Sequence, residues 1–281
     1  MSYSRFTIEQ QDHVAIVRFS RTDKRNAMDA ETWHELKTVF ETLSNEGKVR
    51  CAIIASEGKH FCTGMDLAVF QDSSKLFASE EPGRQGEYFR HLVAYLQACI
   101  SAVEAARFPV IAAVQGGCIG AGFDLISACD IRLSTDDAWF QIAETNIGMT
   151  ADVGTLQRVG SVMPAGLARE LCYTGRRLTA SEARTSGYLN QTFESHQELV
   201  AGALEMAQVI ATKSPMSVTG CKHLLNYSRD HSVADSLHYQ TLWQAAHFHY
   251  RDMTEAAFAA FEKREANFEA LPAINPQKDF N

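Results

Sequence analysis

The sequence has no apolar run long enough to span a bilayer, no C-x-x-C pair, and no basic stretch leading into an apolar one near Met1. The first lack leaves no candidate spanning helix, and Met1-Ser-Tyr-Ser-Arg-Phe-Thr is not expected to act as a secretory leader. Seven cysteines, an odd number, lie dispersed among apolar neighbours. A disulfide framework is therefore not expected, and a reducing, cytoplasmic setting is. Positive charge is also short: 26 Lys and Arg stand against 34 Asp and Glu, for a net charge of -8. That balance argues against nucleic-acid binding by general electrostatics, while leaving room for a local basic site for a phosphorylated ligand. Neither G-x-G-x-x-G nor G-x-x-x-x-G-K-[ST] occurs, which argues against nucleotide-dependent redox and phosphoryl transfer. His247-Phe-His249 suggests no metal site, because two positions apart on a helix the rings point to different faces.

What is present is enough apolar material, 46% of 281 residues, for a sizeable core. Phe6-Thr-Ile and His13-Val-Ala-Ile-Val-Arg-Phe read as a strand pair. Asp29 can cap a helix with apolar positions Trp33, Leu36, Val39, Phe40 and Leu43, ending at Gly47. Cys51-Ala-Ile-Ile-Ala and Pro109-Val-Ile-Ala-Ala-Val114 read as buried strands, with a polar loop over Gln71 to Gly86 and a helix from Tyr88 through Val103 between them. Phe123 to Cys129 fits a short buried helix, followed by the strand-like Ile131-Arg-Leu-Ser. This alternation predicts an α/β core with substantial parallel pairing. Beyond about Gly154 the strand signal nearly vanishes. Helical patterns follow at Ala165 to Tyr173, Ala180 to Ser186, Gln197 to Ala211, Pro215 to Tyr227 and Val233 to Asn267, the last broken near Arg251-Asp252, and Pro272 to Asn281 is expected to fray. We place an α/β core at 1–200 and a helical region at 201–281.

Two segments carry chemistry. Phe61-Cys-Thr-Gly-Met65-Asp66 and Gly116-Gly-Cys-Ile-Gly-Ala121-Gly122 both follow strand ends, where ligands collect in parallel sheets, and glycine lets backbone N–H groups approach an oxygen closely. Asp124, Glu144 and Asp152 follow within a short span. Each sits among apolar or small neighbours, where desolvation lifts a carboxyl toward the range useful for proton transfer. Taken singly, each has a plainer reading: Asp124 as a turn residue, Glu144 as a strand-end residue, Asp152 as the cap of a helix starting near Gly154. Cys62 and Cys118 read as small packing residues.

Lys24-Arg25-Asn26-Ala27, Phe61-Cys-Thr-Gly-Met-Asp66, Pro109-Val-Ile-Ala-Ala-Val-Gln-Gly-Gly-Cys-Ile-Gly-Ala-Gly and Glu262-Lys263-Arg264, in that order, resemble the crotonase family of enoyl-coenzyme A hydratases and isomerases along nearly the whole chain. The resemblance implies a crotonase-like ββα spiral core with a C-terminal helical trimerisation region. Family hydratases use two glutamates around a water. Here the first position is Asp124, the second Glu144, and Asp152 is added. That set, with Tyr227-Ser-Arg-Asp-His-Ser-Val233, is similar to the Δ3,5-Δ2,4-dienoyl-CoA isomerase branch. It implies a proton relay in which the N–H groups of Met65 and Ala121 hold the thioester oxygen. Glu144 is expected at C2 and Asp152 at C6, with Asp124 tuning the pair. Coenzyme A contacts are implied at Lys24, Arg25, Ala27, Asp66, Ala68 and Lys263, the lysine reaching a neighbouring subunit's ligand. Coenzyme A enters as part of an acyl-CoA substrate in β-oxidation, with no other cofactor, metal, nucleic acid or membrane implied, and the assembly implied is a homotrimer or a hexamer of paired trimers. The alternatives are an enoyl-CoA hydratase and a catalytically silent CoA-ester-binding or scaffold protein.

Overall fold

Alternate side chains along the central strands face two different cores, and this division sets the architecture. The computed structural model describes residues 3–66, 68–71 and 81–275. Its strands are β1 (Phe6–Gln11), β2 (Val14–Phe19), β3 (Cys51–Ser56), β4 (Val110–Val114), β5 (Gly117–Ile119), β6 (Ile131–Thr135), β7 (Trp139–Gln141), β8 (Arg177–Thr179) and β9 (Gln191–Phe193). One sheet has the order β1-β2-β3-β4-β6-β9, parallel after the opening antiparallel hairpin, and the second has the order β5-β7-β8. The helices are α1 (Ala30–Glu46), α2 (Ala68–Gln71), α3 (Pro82–Ala105), α4 (Ala121–Ser127), α5 (Thr155–Val162), α6 (Ala165–Thr174), α7 (Ala180–Thr185), α8 (His196–Ala211), α9 (Pro215–Arg229), α10 (Val233–Ala246) and α11 (Tyr250–Glu262). The pairs β4–β5 and β6–β7 each place one strand in each sheet before the chain enters helix, which gives the ββα spiral.

Val14, Ile16, Cys51, Ile53, Ile111 and Ala113 face α8, whose Leu199, Ala203 and Ala207 recur every fourth residue and complete that core. Ala15, Val17, Ala52, Ile54, Ala112 and Val114 face the larger core, shared with the second sheet and with α1, α3 and α4. Burial on both faces explains why these strands read as near-continuous apolar runs. The boundary placed at 200/201 falls inside α8, whose buried face belongs to the sheet.

Several elements differ from the sequence reading. α3 begins at Pro82, capped by Glu81 through the N–H groups of Gly83 and Arg84, so residues 82–86 of the expected loop are helical. Residues 72–80 of that loop lie outside the described residues. β8 and β9 lie beyond Gly154, where strands were not expected. Each has three residues, too few to show a period of two. The final helical pattern breaks at 247–249 rather than at Arg251-Asp252, and it ends at Glu262 rather than at Asn267. The first part of the tail is anchored rather than frayed: Arg107 Nη2 donates to the Pro272 carbonyl at 3.0 Å, and the Ile274 N–H donates to the Asn45 carbonyl at 2.8 Å. Residues 276–281 lie outside the described residues. Among the described residues no helix is long and apolar enough to cross a membrane.

α9 is fastened to the N-terminal ends of β4 and β6 by one buried cation. Lys222 Nζ donates to the Phe108 carbonyl at 2.9 Å, to Asp130 Oδ2 at 2.9 Å and to the Val103 carbonyl at 3.4 Å. Lys222→Met keeps the apolar stem and strands those acceptors. We expect it to lower the unfolding free energy by about 1.5–3 kcal/mol. Urea unfolding at pH 7 checks this; a loss below about 0.5 kcal/mol, the range of ordinary surface changes, would show that the cation contributes little.

Candidate active site

The loops leaving the C-terminal ends of β3 and β4 are pinned to one another by backbone hydrogen bonds. The N–H of Phe61 donates to Gln115 at 2.9 Å, that of Cys62 to Gly117 at 3.3 Å, and that of Ile119 to Cys62 at 3.0 Å. His60 adds to the seam, its Nδ1 accepting from the Gly117 N–H at 3.0 Å, and burial lowers the pKa of the ring. A third segment joins where the Met28 N–H donates to Gly64 at 2.8 Å and the Asp66 N–H to Met28 at 3.0 Å. Thr63 to Met65 thus lies alongside Ile119 to Ala121, close enough that a Cβ on Gly64 would sit 3.6 Å from the Ala121 nitrogen. Among the described residues the N–H groups of Met65 and Ala121 meet no acceptor. Ala121 opens α4, and the first N–H groups of a helix have no partner within it. Both residues line a cavity of ≈170 Å³, the geometry of a two-amide cradle for an anionic oxygen.

The same cavity collects Asp124, Glu144 and Asp152. Asp124 is fully buried on α4; its Oδ1 accepts from the Thr155 N–H at 2.6 Å, while its Oδ2 has no partner among the described residues. Burial pushes this carboxyl up to about 7 against the bond from Thr155, and the neighbouring Glu144 and Asp152 charges push the same way. Glu144 opens a 3-10 turn over Glu144–Ile147, and its Oε2 is likewise buried without a partner among the described residues. The approach depends on Gly120, where φ is 51° and an added Cβ would lie 3.1 Å from Glu144 Oε1. Burial, then the Asp152 charge, raises the pKa of Glu144, and burial raises that of the half-buried Asp152. Three carboxyls that oppose one another's ionisation in a desolvated space can hold and exchange protons near neutral pH.

The plainer reading of Asp152 fails. The cap position of α5 is Gly154, with no side-chain cap bond, and the Thr155 N–H that a cap would satisfy is taken by Asp124 from another helix. Cys62 and Cys118 are fully buried, as packing residues are; burial pushes Cys62 up to about 12 and raises Cys118. Sequence reading missed the cavity walls Trp33, Ile147, Met149 and Val153. Trp33 carried only a core signal, at helical spacing with Leu36 and Phe40.

The segments expected to meet coenzyme A form one rim. Arg21 Nη1 donates to the Ala27 carbonyl at 2.9 Å and to Asp66 Oδ2 at 2.7 Å, Asp66 Oδ1 accepts from the Ala68 N–H at 3.0 Å, and Thr63 Oγ1 donates to the Arg25 carbonyl at 3.2 Å. Lys24 and Arg25 are exposed on that rim. Lys263 is not brought to it within one chain. It closes α11, and the segment after it packs where Arg50 Nη2 donates to the Phe268 carbonyl at 2.6 Å, at the opposite, N-terminal end of β3.

The family profile described as enoyl-CoA hydratase/isomerase matches residues 9–271. The chain belongs to this family. It is 40% identical over 256 residues to the mitochondrial Delta(3,5)-Delta(2,4)-dienoyl-CoA isomerase of Mus musculus, covering 91% of this chain and 78% of that one. It is 39% identical over 253 residues to the peroxisomal protein of the same activity name from Arabidopsis thaliana, covering 90% and 91%. The fold matches the crystal structure of an enoyl-CoA hydratase from Bacillus anthracis with a TM-score of 0.84 and 26% identity, over 94% of this chain and 99% of that one. The crotonase fold read from the motifs therefore holds along the chain.

A buried carboxyl whose pKa is raised on folding contributes stability that is complete below its unfolded pKa and lost as pH rises through its folded one. For Asp124 that window runs from the ordinary carboxylate range to about 7. Asp124→Asn, which can still accept from Thr155, is expected to gain stability over the native chain by about 2 kcal/mol more at pH 8 than at pH 5. Urea unfolding at both pH values checks this, and a pH-independent difference would show that Asp124 does not carry a raised pKa.

Proposed function

We propose that this chain converts 3,5-dienoyl-CoA thioesters to their 2,4-dienoyl isomers, as the names of its relatives state for those proteins. The observation that carries the reading is the convergence of three desolvated carboxyls and two unpaired backbone N–H groups on one cavity. In this reading the Met65 and Ala121 amides receive the thioester oxygen, and negative charge collects there when a proton leaves C2. Glu144 takes that proton. The electron pair spreads through the conjugated chain, and Asp152 gives a proton to C6, so that one proton leaves the substrate and one enters. Asp124 stays beneath the pair, one oxygen committed to Thr155, and its burial and the neighbouring Glu144 and Asp152 charges oppose its own ionisation. That commitment favours isomerisation over hydration, which requires two acids free to hold a water between them. The carboxyls make both proton transfers and the amides hold the oxygen, so no cofactor beyond the CoA moiety enters the reading.

The rim of Lys24 to Ala27 and Asp66 to Ala68 would take the CoA moiety. Lys263 would reach CoA bound to another subunit, in a trimer or a pair of trimers. Support comes from the exposed apolar side chains of α9 to α11, among them Leu225, Val233, Leu237, Leu242, Phe258 and Phe261, which a single chain leaves uncovered. All seven cysteines are free, consistent with a reducing compartment such as the cytoplasm.

Incubation with a 3,5-dienoyl-CoA should raise ultraviolet absorbance as the conjugated thioester forms, whereas hydration of a 2-enoyl-CoA lowers it. Asp152→Asn should cut kcat for the diene by about 10²- to 10⁴-fold while leaving the fold intact; full retained activity would remove Asp152 from the mechanism. Binding of both substrates without any absorbance change would favour a scaffold protein. Lys263→Ala should raise KM several-fold more than it lowers kcat, since a phosphate contact is remote from the reacting carbons. An equal fall in kcat would place the lysine elsewhere.

A further inference from the structure

One face of α3 holds the turn that carries Asp152. Gln97, Ser101 and Glu104 are spaced four and three residues apart, so they form a single polar stripe on the helix. Each binds the Asp152 to Arg158 segment. Gln97 Nε2 donates to the Asp152 carbonyl at 2.7 Å. Arg158 Nη2 donates to Ser101 Oγ at 3.1 Å and to Glu104 Oε2 at 2.9 Å, and Arg158 Nε donates to Glu104 Oε1 at 3.1 Å. Glu104 is gripped from its other side by Arg229 Nη1 of α9 at 2.6 Å. Burial works against its charge, but the hydrogen bonds from the two arginines hold its pKa below the ordinary value.

Between the two attachment points the chain has little freedom. Arg158 is buried, and its guanidinium lies against Gly154, so that a Cβ there would collide with it, Cζ being 3.2 Å away. Gly154 takes φ 128°, a conformation that other residues rarely adopt. The turn from Asp152 to Thr155 is thus held at its first carbonyl by Gln97, at Gly154 by the Arg158 guanidinium, and at Thr155 by Asp124. Glu144 sits on the preceding turn and shares none of the α3 contacts. The two acids, which line the same cavity, are therefore supported separately.

We infer that the Gln97, Ser101 and Glu104 stripe, acting through Arg158, positions Asp152 for one of the two proton transfers and leaves the other untouched. These are positioning residues, since none of them lines the cavity. The inference rests on the assignment of Asp152 to C6 made above. It separates two quantities that a general loss of folding would move together: net isomerisation, which needs both acids, and exchange of the C2 hydrogens with solvent deuterium, which needs Glu144 and the amide cradle.

Gln97→Met and Glu104→Gln test it, with Asp152→Asn and the native chain measured beside them on a 3,5-dienoyl-CoA in D2O. Gln97 is exposed, so its methionine variant removes a donor at a position where folding is not at stake. Misplacement of a reacting group by about 1 Å can cost about 10²-fold. We expect isomerisation by both stripe variants to fall by about tenfold or more, with C2 exchange and KM within about twofold of native. Equal loss of isomerisation and exchange, or no loss in either variant while Asp152→Asn is selectively impaired, overturns the inference. A native chain inactive on the diene, or an Asp152→Asn variant that loses C2 exchange as well, overturns instead the reading on which the inference rests.

Discussion

The desolvation of three carboxyls in one small cavity is the constraint from which the rest of the site follows. In water, Asp124, Glu144 and Asp152 would be ionised independently. Inside a cavity of ≈170 Å³ walled by Trp33, Ile147, Met149 and Val153, each opposes the charge of the others. The one carboxyl that is wholly buried, Asp124, accepts a backbone N–H from another helix, that of Thr155. That bond favours its charged form without overcoming burial, so the group lies near neutrality between the two states. In the proposed reading, the amides of Met65 and Ala121 receive the negative charge that develops outside this set, on the ligand.

Holding such a cavity open requires a frame that does not collapse into it, and the two-sided sheet supplies one. Because β2, β3 and β4 are buried on both faces, a slip of register by one residue would exchange the two cores, and this fixes where each strand ends. The ends of β3 and β4 in turn set the two amide loops. The bridge between Cys62 and Cys118 then locks their relative height. Both residues have small, fully buried side chains, which lets the loops approach. Their thiols are unsuited to nucleophilic chemistry for the same reason, since burial disfavours the thiolate.

The large periodic elements were legible in the sequence because burial wrote them there. Asp29 and Gly47 bracket α1 as the capping pattern predicts, and Ser214-Pro215 opens α9. β5, β7, β8 and β9 were not, since a three-residue strand shows too little of a period of two, and β5 lies within a segment whose glycines read as a turn. For the site, the residue types and their order identified the acids and the amides. Their distances did not follow from the sequence, nor did the support beneath them. Asp152 looked like a cap because it stands just ahead of a helix expected to start near Gly154. The Thr155 N–H is bound instead by Asp124, 31 residues before Thr155, and no local pattern encodes that exchange. The α3 stripe was hidden for a different reason. Its contacts form only through the approach of Arg158 and the Asp152 carbonyl, more than 50 residues away in sequence, and the helix expected there ended before Glu104.

Parts of the site built in different ways let the family's chemistry vary on one frame. The amide loops are bound into the sheet by backbone hydrogen bonds, which depend little on side-chain identity. Glu144 is set by the turn that follows β7 and by the absence of a side chain at Gly120. Asp152 has a different kind of support, a set of side-chain contacts reaching from α3 and, through Glu104 and Arg229, from α9. Backbone-built parts resist substitution, whereas side-chain-built parts can be rebuilt by a few changes. On the proposed reading, a second proton-transfer group held by side chains can therefore be added or withdrawn without disturbing the two-amide cradle, which is the division of labour that an isomerase moving a proton between distant carbons requires.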